Sequence, residues 1–140
     1  MIIPVIRAGG AADLAPIAAI QAASPEAAQW EVSGYLQYDL RVAICEKQVV
    51  GFLVSRAPDG SECEILNLAV SPQFRRAGIG RLLVESLLAG FSGTVFLEVR
   101  ASNRVATGLY KSIGFEEVSR RPNYYDSPLE AAIVMKFHSC

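Results

Sequence analysis

SPQFRRAGIG, residues 71–80, sets two arginines and two glycines between a candidate strand and a candidate helix. Upstream, Glu64–Val70 (EILNLAV) is a mostly apolar run that stops before Pro72; downstream, Leu82, Leu83, Val84, Leu87 and Leu88 recur at helical spacing. The stretch therefore opens a helix. Free N–H groups at a helix N-terminus point outward and the helix dipole adds partial positive charge, which favours an anion there. Gly78 and Gly80 let the backbone approach a ligand closely, and Arg75 and Arg76 supply charge and planar donors. A surface turn with solvated arginines is the plainer alternative.

The spacing Arg75-x-x-Gly78-x-Gly80 is neither a dinucleotide fingerprint nor a P-loop, because it lacks both the third glycine and a Gly-Lys-Ser/Thr ending. It resembles the pyrophosphate-binding loop of the GNAT family of N-acetyltransferases. That resemblance implies that the loop amides hold the pyrophosphate of acetyl-coenzyme A.

At 140 residues the chain is expected to form one domain spanning 1–140. Half of its residues are apolar and 19% are charged, which argues against disorder. A net charge of −1 offers no global attraction for nucleic acid or an anionic membrane. No apolar stretch reaches the roughly 18 residues of a membrane span, and MIIPVIRAGG lacks a signal-peptide layout, so a cytoplasmic location is expected. Cys45, Cys63 and Cys140 are too scattered for a disulfide framework or a zinc site and read as free thiols. With His138 the sole histidine, neither a histidine triad nor a metal site is expected.

Ile2–Arg7 reads as a first strand, followed by a helix capped by Asp13 and ended by Ser24-Pro25, then a second short helix or loop through Trp30 and Tyr35. Arg41–Cys45, Val49–Arg56 and Glu64–Val70 read as three antiparallel strands. After the loop-opened helix come a strand, Thr94–Val99, and a helix capped by Ser102 or Asn103, with Val105, Ala106, Leu109, Tyr110 and Ile113 on one face and Gly114 at its end. Phe115–Ser119 and Ala131–Phe137 make a last strand pair around a polar, proline-containing loop. The order β-α-α-β-β-β-α-β-α-β-β is that of an α/β fold whose mixed, mainly antiparallel sheet is flanked by helices.

Glu98 stands in an otherwise apolar strand, where a carboxylate must find a partner or a cleft. One reading is an ion pair with Arg100 or a helix residue; the other is a general base. Tyr110 reads as core, yet a buried phenol needs a hydrogen-bond partner and could protonate a departing thiolate. Together with the anion loop, carboxylate and phenol form a coherent set for acyl transfer to an amine. A cysteine acyl carrier, Cys63 or Cys45, is a weaker route, since neither lies beside a histidine.

LEVRASN (97–103), GLYKSIGF (108–115) and RRPNYY (120–125) resemble the RimI branch of the same family, which acetylates the N-terminal alanine of a small-subunit ribosomal protein. The similarity is dense from Ile65 to Phe115 and faint over the first 40 residues. It implies a GNAT-type fold and acetyl-coenzyme A as cosubstrate, with no metal. It places Arg75, Arg76, Ala77, Gly78, Ile79 and Gly80 on the pyrophosphate, Leu68, Ala69 and Val70 beside the pantetheine arm, and Asn103 at a further coenzyme contact. Glu98 matches the general base, Tyr110 the general acid, and Tyr124 and Tyr125 the wall of the peptide channel. Two departures fall near the acceptor site: Glu130-Ala131-Ala132 replaces a Glu-Asp-Ala triplet, and SPEAAQW replaces a Phe-Pro-Trp motif. The expected partner is a protein or peptide N-terminus, with a ribosomal protein among the candidates. A small amine, an amino acid or lysine as acceptor, or a non-catalytic coenzyme A sensor, are the alternatives.

Overall fold

The computed structural model describes residues 3–126 and 129–139. Seven strands form one sheet: β1 (Val5–Ala8), β2 (Asp39–Cys45), β3 (Gln48–Arg56), β4 (Glu62–Val70), β5 (Gly93–Arg100), β6 (Glu116–Asp126) and β7 (Leu129–Ser139). Three α-helices connect them: α1 (Leu14–Ala22), α2 (Ile79–Ala89) and α3 (Arg104–Ile113). The strand order is β1-β2-β3-β4-β5-β7-β6, antiparallel throughout except where β4 meets β5. A parallel pair needs a crossover, and α2 supplies it.

The sheet is covered on both faces, as its near-continuous apolar strands require. On one face Leu83, Val84 and Leu87 of α2 and Tyr110 of α3 pack with Leu53, Val95 and Met135. On the other, Ile17 and Ile20 of α1 pack with Tyr35, Phe52 and Val54. Two positions expected on buried helix faces are exposed, Leu82 at 38% and Val105 at 87%. Both sit at the margin of the apolar stripe, where a helix narrower in contact than its apolar arc leaves side chains in water.

The sequence expectation is corrected at several elements. The second helix is a 3-10 turn, Val32–Gln37, so a single α-helix precedes β2. The first strand is Val5–Ala8, displaced toward the C-terminus; Ile2 lies outside the described residues, as does Cys140. Asp13 gives no side-chain cap to α1; its carboxylate instead accepts from Gly10 N–H and pairs with Arg7 at 2.9 Å, tying β1 to α1. The span read as a loop after Ser119 is strand almost to its tip. Pro122 is tolerated there because β6 is the outer strand and its pairing breaks between Arg121 and Tyr125, with Asn123 at φ +56°. Of the two candidate caps of α3, Asn103 fills the role, accepting from Ala106 N–H at 3.1 Å, and Gly114 closes the helix at φ +124°.

Candidate functional site

The sheet opens where one extra residue enters β4. Val54 pairs with Asn67 and Ser55 with Ile65, so Leu66 has no opposite number on β3 and forms a β-bulge. A bulge bends its strand and raises the local twist. At the same level β4 leaves β5: their pairing runs from Glu62↔Thr94 to Ile65↔Leu97 and stops, although β4 continues to Val70 and β5 to Arg100. Asn67–Val70 therefore keep their β3 partners on one side and present an edge unpaired with β5 on the other.

A cavity of about 540 Å³ fills the gap. Leu68 of β4, Glu98 of β5, Asn103 and Tyr110 of α3 and Tyr124 and Tyr125 of β6 all line it. Residues from three separate stretches of sequence thus meet at one place. The opposite wall is the Pro25–Trp30 segment, with Trp30 half exposed. Ala69 turns its side chain to the α1 face of the sheet, and neither it, Val70 nor the 75–80 loop lines the cavity.

The loop lies beyond the end of the free edge of β4, opening α2. Gly78 is the N-cap at φ +78°, a left-handed conformation that costs an L-residue strain. The first intrahelical bond runs from Leu82 N–H to Gly78 O, which leaves the N–H groups of Ile79, Gly80 and Arg81 without an intrahelical acceptor. A Cβ at Gly80 would stand 3.3 Å from Leu109 Cδ2, so glycine also lets α2 approach α3. The Arg75 guanidinium is engaged by the other wall, donating to Ser24 Oγ at 3.0 Å and pairing with Glu26 at 3.1 Å. Arg76 is held at φ +65°.

Glu98 is paired, but with neither Arg100 nor a helix residue. Arg121 reaches from β6 to within 3.2 Å of its carboxylate, while Arg100 pairs with Glu130 at 3.1 Å. The same two guanidiniums lie over the rings of the last hairpin, Arg100 over Tyr125 at 4.2 Å and Arg121 over Tyr124 at 5.5 Å. Burial and, next, the Glu98 carboxylate push the Tyr125 phenol above its ordinary range. Glu130 is pushed up by burial, but the Ser102 N–H and Arg100 outweigh this and hold it below the usual carboxylate range.

Tyr110 is 5% exposed, packed edge-on against Phe115, and burial alone raises its pKa well above the ordinary phenol value. Its hydroxyl has no hydrogen-bond partner among the described residues. A group so placed stays protonated and has a proton to give into the cavity it lines. Cys45 and Cys63 are buried free thiols, and burial raises that of Cys63, which opposes a thiolate nucleophile. Among the described residues no cluster of metal-ligating side chains occurs, and no helix is long and apolar enough to cross a membrane.

Residues 15–115 match the model of the acetyltransferase (GNAT) family. The chain belongs to the GNAT family. It is 45% identical over 80 residues to the ribosomal protein bS18 alanine N-acetyltransferase of Salmonella typhimurium, a match covering 53% of this chain and 54% of that protein. The chain thus spans about half the length of the curated GNAT relatives it matches. In three dimensions it superimposes on the ribosomal-protein-S18-alanine N-acetyltransferase of Escherichia coli with a TM-score of 0.81 at 30% identity, covering 98% of this chain and 94% of that one. Ard1 from Thermoplasma volcanium superimposes with a TM-score of 0.88 at 28% identity, with 98% of each chain covered.

The asparagine of EILNLAV was missed by the sequence reading. Asn67 is 94% buried and bonded to Gln21, Tyr35 and Ala28 across the α1 face of the sheet. Its signal was available: a carboxamide in an apolar strand needs several partners.

Proposed function

We propose that this GNAT chain transfers acetyl from acetyl-coenzyme A to the N-terminal α-amino group of a protein, with the alanine terminus of a small-subunit ribosomal protein as the first candidate. The observation that carries the reading is the meeting of Glu98 and Tyr110 in one cavity at the free edge of β4. The identity to bS18 alanine N-acetyltransferases supports the acceptor.

The parts fit the cosubstrate. The unpaired edge of Leu68–Val70 offers backbone groups to the amides of an extended pantetheine arm, as a further strand would. The arm then leads to the α2 N-terminus, where the free N–H groups of Ile79, Gly80 and Arg81 suit a pyrophosphate. Arg76, Ala77 and Gly78 shape that loop, and Asn103 borders the arm's far side.

In the reaction the neutral amine nitrogen attacks the thioester carbonyl carbon and a C–N bond forms. Glu98 takes the amine proton, directly or through one water. The C–S bond then breaks, and Tyr110 gives its proton to the departing thiolate sulfur. Neither step needs an acyl-enzyme, in keeping with the buried thiols. An α-amino group has a pKa of about 7.7–8.0 against about 10.4 for lysine, so a carboxylate deprotonates an N-terminus far more readily. Trp30, Tyr124 and Tyr125 would flank the chain that follows that terminus.

The test offers acetyl-coenzyme A with an N-terminal alanine peptide, the same peptide N-terminally blocked and carrying a lysine, a polyamine and free amino acids, read by mass spectrometry. Acetylation of the free N-terminus alone is expected. Modification of the lysine or polyamine with the free N-terminus untouched would overturn the acceptor assignment.

A further inference from the structure

We propose that Asn67 is a positioning residue for the acceptor, fixing the Ala27–Trp30 wall of the cavity against the free edge of β4. This rests on the acetyl-transfer reading of the cavity.

The bonds to Ala28 are the core of the argument. Asn67 Oδ1 accepts from Ala28 N–H at 3.2 Å and Asn67 Nδ2 donates to Ala28 O at 2.9 Å, so one carboxamide engages both backbone groups of one residue. That is the pattern a neighbouring strand residue would make. Only a planar group carrying donor and acceptor together can do it, which excludes aspartate, and the reach excludes glutamine. The orientation of the amide is dictated by its surroundings: Oδ1 meets two N–H donors, those of Ala28 and Leu68, while Nδ2 faces three oxygens.

The network behind Asn67 is closed. Tyr35 donates its hydroxyl proton to Gln21 Oε1 and accepts from Asn67, and Gln21 Nε2 donates to Trp30 O at 2.6 Å. Gln29 Nε2 turns back to Gln21 O and Ser24 O, both at 2.9 Å. Ala28 and Trp30, which line the cavity, are thus held by side chains of which Asn67 and Gln29 line it too. The side-chain amides of Gln21 and Asn67 and the Tyr35 hydroxyl all have partners within this network. The wall carries no α-helix or strand of its own, so these side-chain bonds set its distance from Glu98. The coenzyme loop meets this segment only through Arg75, whose bonds go to Ser24 Oγ and Glu26 and to none of the groups that Asn67 engages.

Wild type, Asn67→Ala and Asn67→Ser are compared by amide hydrogen exchange, acetyl-coenzyme A calorimetry and acceptor kinetics. The Ala28 amide is expected to be protected in wild type and to exchange at least tenfold faster in Asn67→Ala. The acceptor KM should rise about tenfold in Asn67→Ala, the effect of losing roughly one net hydrogen bond of positioning, with coenzyme affinity and kcat within threefold. A merely structural role would lower the melting temperature and the active fraction while leaving both KM values alone. Asn67→Ser, which keeps one polar group at the same depth, carries the comparison if Asn67→Ala does not fold. Unprotected Ala28 in wild type, protection unchanged in a folded variant, or acceptor and coenzyme KM rising together would each overturn the proposal. If wild type acetylates some other amine, the N-terminal reading fails and the KM comparison is made on that amine. If it acetylates none, the exchange comparison decides whether Asn67 fixes the wall.

Discussion

Tyr110→Phe separates a catalytic phenol from a core aromatic, because the two roles predict opposite balances of stability and rate. The ring makes the packing contacts, lying 5.2 Å from that of Phe115, and phenylalanine keeps them. The hydroxyl has no protein partner among the described residues, so its removal breaks no internal hydrogen bond. Stability should therefore change by about 0.5 kcal/mol or less, roughly 2 °C in a chain of this size. Had the hydroxyl been bonded in the core, the loss would be about 1–1.5 kcal/mol. Turnover, by contrast, should fall by about 10²- to 10⁴-fold, or roughly 2.7–5.5 kcal/mol of barrier, if that proton goes to the departing sulfur. Thermal denaturation gives the first number. Release of coenzyme A thiol at saturating acetyl-coenzyme A and peptide gives the second. Because burial raises the Tyr110 pKa above the ordinary phenol value of about 10, wild-type activity should show no alkaline limb below that pH arising from this residue. A kcat within threefold of wild type in a fully folded variant would refute the assignment and leave Tyr110 as core.

Glu98→Gln keeps shape but removes the carboxylate proposed as base, and should lower kcat by about 10²-fold or more with acetyl-coenzyme A affinity nearly intact; an unchanged kcat counts against the role. Gly78→Ala meets no atom within 4 Å, so its cost is the left-handed backbone, about 1–2 kcal/mol. It should lower the melting temperature and weaken acetyl-coenzyme A binding together by calorimetry, with acceptor KM least affected. Asp13→Asn should reduce the urea midpoint at pH 7 by severing β1 from α1. The Arg7 guanidinium holds the Asp13 carboxyl below the usual carboxylate range, so the stabilisation is full above the unfolded pKa of about 3.9. It is lost as pH falls through the folded value, and wild type and variant should converge there. A constant difference down to pH 2 would exclude the ion pair as its source.

The elements legible in the sequence are those with local causes. Gly78 and the apolar stripe of α2 announce the loop and its helix, and Asn103 and Gly114 bracket α3, because caps and periodicity act within a few residues. Glu98 and Tyr110 stood out as chemistry in apolar surroundings, and the fold brings both to one cavity. What escaped is set by distant partners. Nothing near Glu98 foretells Arg121, whose reach depends on β7 lying between β5 and β6. Pro122 argued for a loop, and only its place on an outer strand beside a break in pairing makes it strand. The 24–37 region has little periodicity of its own, being shaped by Gln21, Gln29 and Asn67.

The bulge at Leu66 joins these features into one cause. Strand side chains alternate faces, so from Ile65 on the α2 face a regular strand would return Asn67 to that same face. The inserted residue shifts the alternation by one, and Asn67 arrives on the α1 side, next to Tyr35 and Gln21. That shift also carries Leu68 and Val70 to the α2 face, where both pack against the core that contains Tyr110. The same residue coincides with the end of β4–β5 pairing, hence with the mouth of the cavity and the start of the free edge. A single extra residue thus opens the sheet and rotates the carboxamide that holds the opposite wall. The cavity and its Ala27–Trp30 wall are therefore geometrically linked, and a change that removed the bulge would close the one while releasing the other.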